Sequence, residues 1–260
     1  MLEWILRGLH KGRVTTRYPN CPEPSPDGFR GHVEVRNETA ADASLAEVCP
    51  TGAITVDARG RIRLDRGRCI LCGDCVRARP DRFTFQSHYE TAADSRAALI
   101  AGVTDDEHAL ESTREALGRL ASGLRRSIHV RHIDCGSDGC EEWEIQALWN
   151  PYYDIQRLGF FLTNSPRHAD LLLVTGPVTD PMREPLRRTW QVMPEPKALV
   201  AVGTDACGGG LHRAERVTAG GVDQVLPVDV YIPGSPPAPI AIMHGLLLAI
   251  GLLTPEQVVA

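Results

Sequence analysis

The 260-residue sequence has no long basic stretch and no apolar run long enough to cross a membrane. Its 28 basic and 33 acidic residues give a net charge of −5, which argues against a nucleic-acid partner. The longest apolar segment, residues 240–253, is interrupted by His244 and falls short of the roughly 20 residues that a spanning helix needs. The first residues also lack the apolar core and cleavage site of a secretory signal. We therefore expect a cytoplasmic protein whose eight cysteines are reduced.

Four of those cysteines are spaced as ligands of an iron-sulfur cluster. Cys69, Cys72 and Cys75 form a C-x2-C-x2-C run, and Cys49 lies upstream, directly before a proline. A 4Fe-4S cluster needs four converging thiolates, and one such loop supplies three of them while a distant cysteine supplies the fourth. The pattern predicts one 4Fe-4S cluster bound through iron by these four residues. A zinc site or reduced structural cysteines are the alternatives, and a C-x2-C pair alone would leave zinc competitive.

The same run resembles that of bacterial-type ferredoxins, in which C-x2-C-x2-C-x3-C-P occurs twice and the last cysteine of each run ligates the other cluster. At that spacing, the ligands of the other cluster would fall at Thr39, Asp42 and Leu45, none of which is a cysteine. The closing cysteine of the present run is also replaced, by Arg79. The resemblance implies an α+β ferredoxin-like domain, residues 31–88, that keeps one cluster of two.

Residues 1–30 are predicted to form an amphipathic helix followed by a proline-rich strap. Four apolar side chains of the first 12 residues share one helical face, namely Leu2, Ile5, Leu6 and Leu9. This pattern suits a membrane surface, a partner subunit or ordinary packing, because amphipathicity does not distinguish lipid from protein. The four prolines between residues 18 and 28 exclude regular structure there, and Cys21 among them is expected to be a free thiol.

Two further segments have a clear periodicity. Residues 54–56 and 61–64 alternate apolar and polar side chains, which predicts a hairpin of two short strands. Residues 105–126 begin acidic, end basic and carry apolar residues at helical spacing. We therefore predict a helical linker over residues 89–127.

The second half of the chain alternates strand, loop and helix patterns. Three short apolar runs, residues 171–174, 198–202 and 228–232, are typical of buried parallel strands, and residues 239–253 predict a final apolar helix. The order predicts a flavodoxin-like α/β domain with a parallel sheet over residues 128–260. Ligands of such a domain bind beyond the carboxyl ends of the strands.

Several segments carry a resemblance to a family of membrane complexes. Residues 164–170, 175–179 and 228–234 are similar to the small subunit shared by group 4 membrane-bound nickel-iron hydrogenases and respiratory complex I, where it is the 20 kDa subunit. Residues 14–19 and 27–31 resemble the start of the ferredoxin-type subunits of the same complexes, such as the complex I 23 kDa subunit. The chain thus resembles two adjacent subunits fused head to tail.

The resemblance implies an electron-transfer subunit of an oxidoreductase complex that itself makes and breaks no substrate bonds, so no catalytic residue is predicted. The expected partners are a hydrogenase-like or complex I-like large subunit, membrane-arm subunits and other iron-sulfur electron donors. The expected place is peripheral, on the cytoplasmic face of the inner membrane, since the opening helix of that family lies at the membrane arm. The alternative is a scaffold subunit that docks the large subunit and whose single cluster is structural.

The family also holds a second 4Fe-4S cluster in its α/β domain, and here its ligand positions depart from the pattern. Ser235 replaces the cysteine of P-G-C-P-P, Cys207 is retained, and the usual C-N-G-C is Ser137-Asp138-Gly139-Cys140. Cys135, Cys140 and Cys207 with an oxygen from Ser235 or Asp138 would be a mixed-ligand site. That set is unfavourable because serine is a harder ligand than thiolate. We expect instead that the second cluster is lost and that Cys140 and Cys207 are small buried residues.

Overall fold

The computed structural model describes residues 2–36, 40–41, 43–102, 127–213 and 216–253. The linker helix expected at residues 105–126 lies outside the described residues. The chain opens with α1 (Leu2–Lys11), as predicted, and the proline-rich segment after it has no helix or strand. No helix in the described part of the chain has the length and apolar character that crossing a membrane requires.

The ferredoxin-like domain contains two small antiparallel sheets. In one, β1 (His32–Val35) pairs with β4 (Phe83–Gln86); in the other, β3 (Ile62–Asp65) lies between β2 (Ile54–Val56) and β5 (Ile100–Ala101). The predicted hairpin is confirmed, because β2 and β3 pair from Ile54–Leu64 to Val56–Ile62. The inward side chains of these strands form one apolar core, which includes Val33, Ile54, Ile62, Leu64 and Phe83.

The segment between the domains differs from our expectation in its described part. We predicted a helical linker from residue 89, yet Ile100–Ala101 forms the strand β5 beside β3, and Ala93 pairs with Tyr231 of the second domain. The physical reason is that the edge of β3 offers free main-chain groups, which the returning chain satisfies.

The second domain is built on a five-stranded parallel sheet with the order β10-β9-β8-β6-β7. These strands are β6 (Ile128–Asp134), β7 (Phe160–Leu162), β8 (Leu171–Thr175), β9 (Ala198–Val202) and β10 (Val230–Ile232). Every residue of β8 and β9 is buried, as expected of central parallel strands covered on both faces. The sheet and its three predicted strands confirm the flavodoxin-like α/β class.

The described residues of this domain include four α-helices: α3 (Cys140–Ala147), α4 (Asp180–Val192), α5 (Thr204–Gly208) and α6 (Pro239–Ala249). All residues of α6 are buried, which accounts for its apolar sequence. The helix ends four residues before the predicted Leu253, because Gly251 adopts a left-handed conformation with a φ of 66°. The N–H groups of Gly251 and Leu252 then bond to the carbonyls of Leu248 and Leu247, which closes the helix in a Schellman motif.

Candidate iron-sulfur site

The four predicted cysteines of the first domain, Cys49, Cys69, Cys72 and Cys75, line one cavity. Apolar side chains from the domain core complete its wall, among them Val33, Ile54 and Leu64. The structure therefore brings together the distant cysteine and the three-cysteine loop, as the spacing predicts. Sulfur donors in an apolar enclosure are the surroundings that an iron-sulfur cluster requires.

Local backbone geometry places each thiol. Cys49 follows the 3-10 helix Ala43–Val48, and Cys69 ends the 3-10 helix Arg66–Arg68. The loop then reverses through Leu71 and Gly73, whose φ angles are 55° and 82°. Gly73 caps the helix α2 (Asp74–Ala78), which points the buried Cys75 back toward the cavity. A positive φ at Gly73 costs little because glycine has no Cβ.

Hydrogen bonds and burial act on the sulfur atoms in opposite directions. The backbone N–H of Ala53 donates to Cys49 Sγ at 3.3 Å, and the Leu71 N–H donates to Cys69. Burial, together with smaller contributions from the thiols of Cys75, Cys49 and Cys72, nevertheless raises the pKa of Cys69 to about 12. A thiol such as Cys69, whose ionisation burial opposes, becomes a ligand when a bound cation favours its deprotonated form.

The donor set of this cavity suits an iron-sulfur cluster. All four donors are sulfur atoms, the soft ligands that such a cluster takes, and apolar side chains of the domain core lie around them. The residues of this cavity therefore fit the 4Fe-4S group that the sequence predicts.

Two arginines stabilise the loop through its carbonyl oxygens, and sequence reasoning missed both. Arg30 donates to the carbonyls of Leu71 and Cys72 at 3.0 and 3.3 Å, and Arg77 donates to the Cys72 carbonyl at 3.2 Å. The Arg30 guanidinium also lies over the ring of Phe85, 5.0 Å from its centre. Bonds to main-chain carbonyls leave no residue pattern in the sequence, so no motif could have indicated them.

The candidate cysteines of the second domain have surroundings that differ from those of the first-domain cysteines. Cys135 and Cys207 are fully buried in one apolar cluster, and Cys207 Sγ donates to the Ala201 carbonyl at 3.6 Å. Burial raises the pKa of both thiols; the charges that also act on Cys207 are Arg96, Asp65 and Asp223, and none is a cysteine. Cys207 is therefore the small buried residue that we expected.

Cys140 corrects that expectation, because it is only partly buried. Its thiol lies 2.6 Å from Asp138 Oδ1 and 3.6 Å from Glu141 Oε2, and burial together with these two carboxylates raises its pKa to about 12. Glu141 is itself buried, and burial raises its pKa to about 7. One thiol between two carboxylates is a harder donor set than an iron-sulfur cluster takes.

The loop around Cys140 is closed by its own hydrogen bonds. Asp134 Oδ1 accepts the N–H groups of Gly136 and Ser137, each at 2.8 Å. The Ser137 hydroxyl donates to Glu142 Oε2 at 2.7 Å and accepts the Gly139 N–H at 3.1 Å. Ser235, at the last family ligand position, is exposed. The residues present in the second domain do not fit a 4Fe-4S cluster.

Two family models match separate parts of the chain. The family model for the 20 kDa subunit of NADH:ubiquinone oxidoreductase matches residues 137–249, and the model of a 4Fe-4S single-cluster domain matches residues 62–117. The predictions of a fused two-part chain and of one 4Fe-4S cluster in its first part are thereby confirmed. The single-cluster match begins after Cys49, so the ligand set itself stays a prediction.

Two curated relatives are named as subunits of a formate hydrogenlyase and of a membrane-bound hydrogenase. Formate hydrogenlyase subunit 7 of Escherichia coli is 44% identical over 144 residues, which cover 55% of this chain and 56% of that subunit. The probable membrane-bound hydrogenase subunit mbhJ of Pyrococcus furiosus is 42% identical over 135 residues, covering 52% of this chain and 80% of that subunit. A solved chain of the archaeal membrane-bound sulfane sulfur reductase, a respiratory membrane complex, is 30% identical with a TM-score of 0.46, covering 52% and 75% of the two chains.

The chain spans little more than half of the Escherichia coli subunit but most of the Pyrococcus one. Three observations support one family: identity above 40% across most of the Pyrococcus subunit, the matching family model and the parallel sheet. The chain belongs to the family of the complex I 20 kDa subunit and the related membrane-bound hydrogenase subunits, with a single-cluster ferredoxin domain preceding that part.

Proposed function

We propose that the protein is an electron-transfer iron-sulfur subunit of a membrane-associated complex related to complex I and group 4 hydrogenases. The observation that carries this proposal is the convergence of Cys49, Cys69, Cys72 and Cys75 on one apolar cavity. A 4Fe-4S cluster bound there would accept and release single electrons. The protein residues supply the thiolates, shield the site with core side chains and hold the loop in place through Arg30 and Arg77.

The partners that we propose are a large subunit, membrane-arm subunits and other iron-sulfur electron donors. The apolar face of α1 supports contact with the membrane arm or with lipid: Trp4, Leu6 and Leu9 are 68%, 55% and 75% exposed. Apolar side chains exposed together on one helix mark a surface that a partner covers. Basic residues near the end of that helix, His10 and Lys11, would face the headgroups. We place this peripheral subunit on the cytoplasmic face of the inner membrane.

A scaffold function is the second candidate, and one observation favours it. The loop at Ser137–Cys140, which in the family contributes ligands to the second cluster, here forms hydrogen bonds among its own residues and with Glu142. The second domain has therefore kept its fold while the donors of its metal site have changed. In a scaffold, the first-domain cluster would be structural and would not be reduced reversibly within the complex.

The decisive measurement is iron and acid-labile sulfide per chain on anaerobically purified protein, with EPR of the reduced sample. We compare the wild type with the double variant Cys140→Ala, Cys207→Ala. One cluster's worth of iron, reversibly reduced and unchanged in the variant, supports the proposal. Two clusters' worth that falls to one would restore the second cluster, and a cluster that cannot be reduced reversibly would favour the scaffold.

A further inference from the structure

The second domain contacts the iron-sulfur loop of the first domain directly, through the short helix α5. This helix packs against the 3-10 helix Arg66–Arg68, which leads into Cys69. The hydroxyl oxygen of Thr204, the first residue of α5, lies 3.1 Å from the carbonyl oxygen of Cys69. Thr204 is 1% exposed, so water does not compete for this hydrogen bond.

The two domains also approach each other closely at the other end of α5. A Cβ atom added at Gly208 would lie 2.7 Å from the Gly67 carbonyl oxygen, closer than side-chain carbons come to such atoms. An ion network crosses the same boundary. Arg96 Nη1 donates to Asp65 Oδ1 at 2.7 Å, and Arg96 Nε lies 3.6 Å from Asp223 Oδ2. The close packing at Gly208 and this ion network therefore both hold α5 against the cysteine loop.

The same hydroxyl also contacts the loop of residues 233–237. Thr204 Oγ1 lies 3.0 Å from the carbonyl oxygen of Gly234, and the Gly234 N–H points back to Oγ1 at 3.4 Å. A hydroxyl has one proton to donate, so the carbonyls of Cys69 and Gly234 share it. Ser235 and Pro236 of that loop are exposed, so a partner that moves them would change how the proton is shared.

We propose that Thr204 is a positioning residue for the first-domain iron-sulfur site. It acts through the main chain of Cys69, so that the second domain helps to set the reduction potential of a cluster that it does not ligate. Reduction adds negative charge to the cluster, and hydrogen-bond donors directed at its ligand loop favour the reduced form. When the hydroxyl bonds to Cys69, it offsets the negative end of a carbonyl dipole beside that site. This inference rests on the proposed electron-transfer function.

The test is a pair of substitutions in the full chain with the cluster in place. Thr204→Val removes the hydroxyl and nearly keeps the shape of the side chain, whereas Thr204→Ser keeps the hydroxyl. We expect a lower midpoint potential and altered g-values in the valine variant, measured by EPR-monitored redox titration, and wild-type values in the serine variant. Thr189→Val is the matched control, because the Thr189 hydroxyl donates to Pro185 on an exposed helix.

Iron content distinguishes the possible failures. Valine variants with a full cluster and an unchanged potential would overturn the role of Thr204 and leave the proposed function standing. Wild-type protein without a reducible cluster would instead overturn the proposed function. Should valine prevent folding because its extra methyl meets two carbonyl oxygens, Thr204→Ala removes the hydroxyl without that contact. The alanine variant must then show the lower potential, and an unchanged value in it overturns the inference.

Discussion

Seven cysteines of this chain stand at or near ligand positions of the related families, yet only four of them face one another. In the first domain, burial is the main cause that raises the pKa of Cys69, and the charges that raise it as well belong to the other three thiols. In the second domain, the charges acting on Cys140 are carboxylates, and those acting on Cys207 include an arginine. The comparison teaches that a retained cysteine is evidence for an iron-sulfur site only when its neighbours are cysteines too.

The largest expected effect separates the two sets directly. Cys69→Ser replaces a soft thiolate with a harder hydroxyl at the centre of the set, so we expect most of the iron and the visible absorption to be lost. Cys135→Ser makes the same chemical change in the core of the second domain and should leave the iron content at one cluster. Both are measured as iron and sulfide per chain. Equal iron loss in the two variants would contradict the assignment of the cluster ligands to the first domain alone.

The parts of this comparison that were predictable from sequence depend on local pattern. The C-x2-C-x2-C run and the remote Cys-Pro indicated the first site. The apolar runs indicated β8 and β9, because parallel strands that are buried on both faces consist of consecutive apolar residues. The exposure of Cys140 was not predictable, since it depends on how Asp134 and Ser137 close their loop.

Long-range contacts account for most of what sequence reasoning missed. Strand β5 pairs residues that are far apart, Leu64 with Ala101, and it is too short to show a periodicity. Arg30 and Thr204 bond to main-chain carbonyls of the cysteine loop, and any residue type presents such a carbonyl. Their roles can be recognised only once the fold places them beside that loop.

A smaller effect, on the pH dependence of stability, is expected from a buried histidine of the second domain. His244 lies in the buried helix α6, and neither ring nitrogen has a hydrogen-bond partner among the described residues. Burial, with a minor contribution from His88, lowers its pKa from 6.5 to about 4. As pH falls from about 6.5 to 4, the unfolded chain binds a proton that the folded chain excludes, so the free energy of unfolding decreases by up to about 3 kcal/mol.

The variant His244→Leu should weaken that pH dependence, because it removes the titrating group and leaves an apolar side chain in an apolar helix. Urea unfolding of the cluster-free chain between pH 7 and pH 4.5, followed by tryptophan fluorescence, measures it. Three of the four tryptophans, Trp143, Trp149 and Trp190, lie in the second domain and report on it. His32, whose pKa burial lowers to about 3, should keep part of the acid sensitivity in both proteins. Identical pH profiles of the wild type and the leucine variant would show that His244 does not cause the loss of stability at low pH.

Next in size is the contact that joins the two regions. Asp65 accepts hydrogen bonds from Arg96 and from the Gly67 N–H, at 2.7 and 3.0 Å, and its side chain is 13% exposed. Asp65→Asn removes the charge that pairs with the arginine and should lower the free energy of unfolding by about 2 kcal/mol in urea. Asp57→Asn breaks the exposed pair with Arg61 and should have a much smaller effect. A larger loss in the Asp57 variant would mean that the domain boundary does not depend on this network.

The smallest expected effect is the most direct attempt to make the two regions alike. Ser235→Cys restores the cysteine of P-G-C-P-P, so that Cys140, Cys207 and the new thiol would supply three of the family's ligand positions. We expect no second cluster, because Cys207 remains fully buried with its thiol bonded to Ala201, and Cys140 remains between two carboxylates. Iron and sulfide per chain after anaerobic reconstitution should equal the wild-type values. A gain of iron and sulfide equal to a second cluster would contradict this expectation. It would show that the loss of one ligand, at residue 235, prevents the second domain from binding a cluster, and that Cys207 can become accessible to a metal.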